Sequence, residues 1–138
     1  MNKSPVTITP AMHESSPTIV FVEDNEVTVT FLGRLFARLN LRAIACPVGA
    51  DTVACIRDQQ PHLIILDISL GAVTGVDVLH QIRAEPTLAA VPIIFFSGDG
   101  DLLRQLLPDY RAYGATFVPK PDIARLQQAV QTLLAPPP

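Results

Sequence analysis

Four apolar residues, Leu63-Ile-Ile-Leu66, run straight into a carboxylate, Asp67, and a loop that closes on Gly75. A short continuous apolar run bounded by turn residues is the mark of a strand buried on both faces, as in a parallel sheet. A buried acid is costly without a partner, so a chain that ends such a strand in Asp67 must supply one. In open α/β sheets the strand ends are also where ligands bind.

The rest of the chain repeats this grammar. Thr18-Ile-Val-Phe-Val-Glu23 is a β-branched and aromatic strand that again ends in acids, Glu23 and Asp24. Asn25 can cap the helix that follows, where Val27, Phe31, Leu32, Leu35, Phe36 and Leu39 recur at helical spacing. Leu41 to Cys46 reads as a second, weaker strand, and Asp51 as the N-cap of a helix through about Gln59, with Val53, Ala54 and Ile56 on its buried side. The Asp67 strand leads to a helix from about Val76 to Ala84. Val91-Pro-Ile-Ile-Phe-Phe96 is a fourth strand ending at Ser97-Gly-Asp-Gly100. Asp101 is expected to cap a fourth helix, which Pro108 must kink or end because proline has no N–H to donate. Ala115 to Val118 makes a fifth strand, closed by Pro119-Lys120-Pro121, and the last helix runs from about Asp122 to Leu134.

Alternating strands and helices predict an α/β sandwich around a doubly wound, five-stranded parallel sheet with five helices. Residues 1–17 hold three prolines, three serines and two threonines and read as a flexible tail; 18–134 form one domain, and 135–138 a proline tail. Charged residues are 17% and apolar ones 49%, which suits a globular domain. Net charge of −3 argues against a nucleic-acid or anionic-membrane binder, and no apolar run approaches the roughly 20 residues that span a bilayer. The N-terminus has no apolar core of a secretory signal. Cys46 and Cys55 lack metal-ligand spacing and a disulfide framework, so they are expected as small core residues in a reducing cytoplasm.

Glu23, Asp24, Asp67, Ser97 and Lys120 all fall at or just past strand C-termini, which share one edge in a parallel sheet. With the order 2-1-3-4-5, strands one and three are neighbours and the three carboxylates converge at the switch point. Such a trio repels itself unless a cation neutralises it, and few oxygen ligands plus substrate phosphate suit Mg²⁺. Lys120 can pair with a carboxylate or a phosphoryl oxygen, and the Ser97 hydroxyl can donate to one. A nucleophilic carboxylate, a metal pocket, a cation and a hydroxyl are the equipment for forming an aspartyl phosphate.

Over about residues 18–134 the chain resembles the receiver domain of two-component response regulators, which has the flavodoxin-like fold. Val22-Glu-Asp-Asn25 resembles the family's acidic pair after strand one. Asp67, with Leu70 three residues on and Gly75 eight on, resembles the phospho-acceptor loop. Ser97 and Gly98 match the hydroxyl position and the small residue after it. Tyr113-Gly-Ala-Thr-Phe-Val-Pro-Lys-Pro121 resembles the stretch ending in a lysine–proline pair. The resemblance implies that Asp67 accepts the phosphoryl group and that Glu23, Asp24 and Asp67 hold Mg²⁺ with the Ser69 backbone carbonyl. It implies that Ser97, Gly98 and Lys120 bind the phosphoryl group, and that Phe117 is the switch aromatic. A sensor histidine kinase or histidine phosphotransfer protein would be the donor, with output through the face of helix four, strand five and helix five. Three departures stand out: Gly71 where the family usually has proline, Phe117 in place of a tyrosine, and Asp122 where an aromatic is common.

The expected function is a cytoplasmic phosphorylation switch, not an enzyme. No output region follows residue 134, which leaves a stand-alone regulator or a receiver excised from a longer protein. One rival is a degenerate receiver that binds partners without phosphorylation. Another is a flavodoxin-like enzyme. Against it, a phosphohydrolase would want an acid two residues after its nucleophile, where Ser69 stands. A flavin protein would want a phosphate loop where Glu23 and Asp24 repel one. His13, His62 and His80 are scattered and read as solvated or edge histidines. Gly98-Asp-Gly100 is too short for a phosphate-cradling loop, and Tyr110 and Tyr113 read as packing residues.

Overall fold

The computed structural model describes residues 5–7 and 16–135. The elements are β1 (Val6–Thr7), β2 (Thr18–Val22), α1 (Glu26–Arg38), β3 (Arg42–Ala45), α2 (Thr52–Asp58), β4 (Leu63–Leu66), α3 (Gly75–Ala84), β5 (Ile93–Ser97), α4 (Gly100–Leu106), β6 (Ala115–Pro119) and α5 (Ile123–Leu134). Short 3-10 turns, Pro86–Leu88 and Tyr110–Tyr113, precede β5 and β6.

The sheet order is β1-β3-β2-β4-β5-β6. The last five are all parallel, in the expected order 2-1-3-4-5. The sixth strand was not expected. Val6–Thr7, inside the stretch read as a flexible tail, pairs antiparallel with β3 at Ala45 and Ile44 and covers that edge. Residues 1–4 and 8–15 of that stretch, and 136–138 of the proline tail, lie outside the described residues.

Alternation along each strand builds two cores. Val20, Val22, Ile64, Leu66, Ile93 and Phe95 face one side, where Ile56 of α2, Leu79 and Ile82 of α3 and Leu103 of α4 cover them. Ile19, Phe21, Leu63, Ile65, Ile94 and Phe96 face the other, beneath Leu32, Leu35 and Phe36 of α1 and Leu126 and Val130 of α5. The continuous apolar run at 63–66 is therefore explained: every residue of it has a helix layer to meet, and all four are buried.

Helix ends follow local chemistry. Asn25 caps α1 by accepting from the Thr28 N–H, and Thr74 and Asp77 form a capping box at α3. Asp51 occupies the N-cap of α2 but makes no side-chain cap bond. The Thr52 hydroxyl instead accepts from the Gly49 N–H at 2.8 Å and lies 2.8 Å from the Pro47 carbonyl. At α4 the cap is Asp99, which accepts from the Leu102 N–H; Asp101 is already inside the first turn. The α4 helix ends before Pro108, as that proline demands.

The cysteines correct the sequence reading. Cys46, just past β3, and Cys55, on α2, form a disulfide with Cα atoms 6.0 Å apart. Nine residues of separation carried no framework signal; the β3–α2 turn folds back and brings the two thiols together.

Candidate functional site

The site is built at the C-terminal edge of the sheet, where β2 and β4 are neighbours. Asp67 leaves β4 with its N–H bonded to the Val22 carbonyl at 3.2 Å, which fixes its backbone beside Glu23. Only 8% of it is exposed. One carboxylate oxygen, Oδ1, accepts from the Ile68 N–H at 2.7 Å, and Oδ2 accepts from Lys120 Nζ at 3.0 Å. The same ammonium donates to Glu23 Oε2 at 3.0 Å. Glu23 Oε1 in turn accepts from the Asn25 N–H at 3.3 Å, so the residue that caps α1 also steadies the first acid. Asp24 is exposed, yet it offers a carboxylate oxygen that lies, with those of Glu23 and Asp67, within 4.8 Å of one another.

Lys120 is carried in from β6. Its N–H donates to the Ser97 carbonyl at 3.0 Å, continuing the β5–β6 ladder one step past the strand, and the peptide bond to Pro121 is cis. Its Nζ also lies 5.7 Å from the centre of the Phe96 ring. Ser97 is 1% exposed, and its hydroxyl oxygen accepts from the Asp99 N–H at 3.2 Å.

These contacts set the charges. Burial raises the Glu23 carboxyl to about 7, against the pull of Lys120. Burial acts the same way on Asp67, but the Ser97 hydroxyl and Lys120 outweigh it and hold that carboxyl below its usual value. Lys120 is buried enough to favour its neutral form, yet the two carboxylates raise it above the ordinary lysine range. Of the two acids, Asp67 is therefore the one that its neighbours hold ionised. A set of carboxylate oxygens this close is of the kind that suits a hard divalent cation.

The remaining expected residues fall around this centre. Ser69 lies in the loop after Asp67 and bridges to Thr74 across it. Gly75 has a physical reason to be glycine, because a Cβ there would collide with the Asp67 carbonyl oxygen. Gly71 sits at φ +86°, a region closed to proline, so this loop follows a path that the family's usual proline could not take. A Cβ on Gly98 would meet open space. Phe117 is half-buried, its ring against Gly100, where a Cβ would come within 2.9 Å of Cζ. Asp122 caps α5 through the Arg125 N–H.

The two described histidines stay out of the site. His62 Nδ1 accepts from the Thr18 N–H, His80 stacks edge-on to Tyr113, and His13 lies outside the described residues. Tyr110 and Tyr113 pack against the core as expected.

Sequence reasoning missed an apolar surface beside the site. Val27 and Phe31 lie on the helical stripe of α1 but are 79% and 37% exposed. With Phe96, Lys120, Pro121 and Ile123 they line an open groove of about 290 Å³. The signal was present in the spacing: a stripe running through both Val27 and Leu39 is wider than the core beneath α1 needs.

Comparison with known proteins places this geometry in a lineage. Residues 19–131 match the family model described as the response regulator receiver domain. The transcriptional regulatory protein AfsQ1 of Streptomyces coelicolor is 31% identical over 85 residues, 62% of this chain and 36% of that protein. The polar-differentiation response regulator DivK of Brucella ovis is 27% identical over 63% of this chain and 75% of its own. The chain thus spans about a third of AfsQ1 and 43% of the probable transcriptional regulator TcrX of Mycobacterium tuberculosis. Among solved structures, the receiver domain of the sensor histidine kinase PA1611 from Pseudomonas aeruginosa, with a magnesium ion in its active-site cleft, superposes with a TM-score of 0.73. It is 25% identical, over 86% of this chain and 98% of that one. The chemotaxis regulator CheY4 of Vibrio cholerae, 17% identical with a TM-score of 0.75 over 87% of this chain and 100% of its own, shares the fold.

Proposed function

The chain belongs to the response regulator receiver domain family, and from that premise we propose that it is a phosphorylation switch whose acceptor is Asp67. The observation that carries the reading is the single ammonium of Lys120 held 3.0 Å from both Asp67 Oδ2 and Glu23 Oε2, with the Ser97 hydroxyl on the same edge. A histidine kinase or phosphotransfer protein is the donor. An Asp67 carboxylate oxygen attacks the phosphorus of its phosphohistidine. The P–O bond forms as the P–N bond breaks, and the electron pair leaves on the imidazole nitrogen. Lys120 then turns from a carboxylate partner into a phosphoryl partner, and the Ser97 hydroxyl exchanges its acceptor role toward Asp99 for donation to a phosphoryl oxygen.

Receiver domains bind Mg²⁺ in this position. Here Glu23, Asp24, Asp67 and the Ser69 carbonyl would hold it, and Gly98, beside Ser97, leaves room for the phosphoryl group. The ion would neutralise the charge that phosphoryl transfer concentrates on the carboxylates. The groove of Val27, Phe31 and Pro121 lies next to Lys120 and gives the donor protein an apolar surface to dock on while its histidine reaches the acid. Output would leave through α4, β6 and α5, with Phe117 as the switch aromatic. A cytoplasmic location fits a donor of this kind, and no described helix is long and apolar enough to cross a membrane.

Acetyl phosphate is the direct test. Intact-mass measurement should show one phosphate added to the wild type and none to Asp67→Asn, whose amide is not a nucleophile. Equal labelling of both would move the acceptor elsewhere.

A further inference from the structure

The β3–α2 turn forms one wall of a cleft that opens beside the acid pair. Residues 47–52 face Glu23, Asp24 and Glu26 across a space of about 580 Å³. The ends of that wall are joined by Cys46 and Cys55. Cys46 is also tied to the acids from below, since its N–H donates to the Phe21 carbonyl at 3.1 Å, two residues before Glu23. The bond therefore clamps a segment that touches the acid pair through the cleft and through the sheet. We propose that Cys46–Cys55 is a reversible thiol–disulfide modification site, acted on by dithiol reductants, that sets how firmly the wall and the Glu23–Asp24 segment are held.

Two observations and one general rule support this. Cys46 is 2% exposed, but Cys55 is partly accessible, so a reductant has a sulfur to reach. The turn has anchors besides the bond, because Ile56 is fully buried and Thr52 fastens it through Gly49 and Pro47. Finally, in a reducing compartment the disulfides that form are mostly transient and redox-sensing; this point rests on the signalling reading above. The chemistry balances with the dithiol as reductant. Its thiolate attacks Cys55 Sγ, the S–S bond breaks, and Cys46 leaves as thiolate. The second thiol of the reductant then displaces Cys55, so the protein gains two electrons and two protons as the dithiol closes to a disulfide.

The test compares the oxidised protein, the dithiothreitol-treated protein and Cys55→Ala by hydrogen exchange, after peptide mapping without reductant for the Cys46–Cys55 link. Oxidation should slow exchange roughly tenfold over 47–54 and severalfold over 22–25, with Cys55→Ala matching the reduced form. No link in the air-oxidised protein, or no redox-dependent change in either window, overturns the proposal. Acetyl phosphate labelling of each form runs alongside as an independent arm. If no form is labelled while both windows respond, the phosphorylation reading falls and the redox site stands.

Discussion

Glu23 and Asp67 share the Lys120 ammonium and are driven in opposite directions. The Glu23 carboxyl rises from 4.5 to about 7 because burial outweighs its lysine, whereas the Asp67 carboxyl is held below 3.8 by Ser97 and Lys120 despite burial. Near neutrality the last proton of the pair thus resides on Glu23, and a divalent cation held by Glu23 would have to displace it. Apparent Mg²⁺ affinity should climb by up to roughly tenfold per pH unit below 7 and level off above, as titration calorimetry from about pH 5.5 to 8.5 would show. A flat profile would remove Glu23 from the ligand set. The same group makes the metal-free fold lose stability as pH rises from 4.5 toward 7, since the folded state keeps a proton that the unfolded chain has released. Gly75 acts through shape alone. The Cβ of Gly75→Ala would strike the Asp67 carbonyl, so the backbone must shift at an overpacking cost of about 1–3 kcal/mol. Denaturant unfolding should record that loss, and acetyl phosphate labelling should slow because the acceptor's own backbone moves.

At the scale of elements, the β5–α4 junction is the piece that phosphorylation of Asp67 would disturb on the proposed reading. The Ser97 hydroxyl is engaged by the Asp99 N–H, and Asp99 caps α4. Drawing Ser97 toward a phosphoryl group breaks the first contact and disturbs the second. The helix it would loosen has only seven residues, ended by Pro108, and Phe117 of the adjoining strand rests on its first residue, Gly100. Short helices with one cap are among the least stable parts of a fold. Beryllofluoride, a stable phosphoryl mimic, should therefore lower hydrogen-exchange protection across residues 98–113. Protection gained only around 69–75 would instead leave signalling to the Gly71 loop. Arg83 limits how far the change spreads, because its Nε and Nη1 donate to the Tyr113 and Leu88 carbonyls at 2.8 Å and pin the 3-10 turn to α3.

Among the described residues, the acid–lysine cluster and the exposed apolar groove lie on one side of the molecule. Val27, Phe31 and Pro121 surround the approach to Lys120, while the Cys46–Cys55 wall stands across the acid pair. Exposed apolar groups beside a polar centre separate two kinds of donor. On the proposed reading, a small phosphodonor would need the acids, the lysine and the hydroxyl, and a protein donor would also bury part of the groove. Val27→Asp should leave acetyl phosphate labelling near the wild-type rate and slow transfer from a phosphorylated histidine phosphotransfer protein by about tenfold, the effect of roughly 1.4 kcal/mol of lost contact. Equal slowing with both donors would place Val27 in the chemistry instead of the docking.

Much of this was written in the order of residue types. Apolar runs that end in acids dictated strands buried on both faces and charged groups at one edge, because period and polarity are local properties. That Glu23, Asp24, Asp67, Ser97 and Lys120 gather at one edge was legible for that reason, and the proline at 108 announced the end of α4. What depended on chains meeting in space was not legible. The choice of Asp99 over Asp101 as cap was settled by where β5 releases the backbone. The exposure of Val27 and Phe31 was settled by how far the core extends under α1. Val6–Thr7 became a strand only because the β3 edge was free to pair with it. Cys46 and Cys55 carried no local signal, and the disulfide exists because the β3–α2 turn folds their thiols together. Local sequence determines which groups a strand end offers; tertiary packing decides which of them touch, since contact is a property of two segments and is encoded in neither alone.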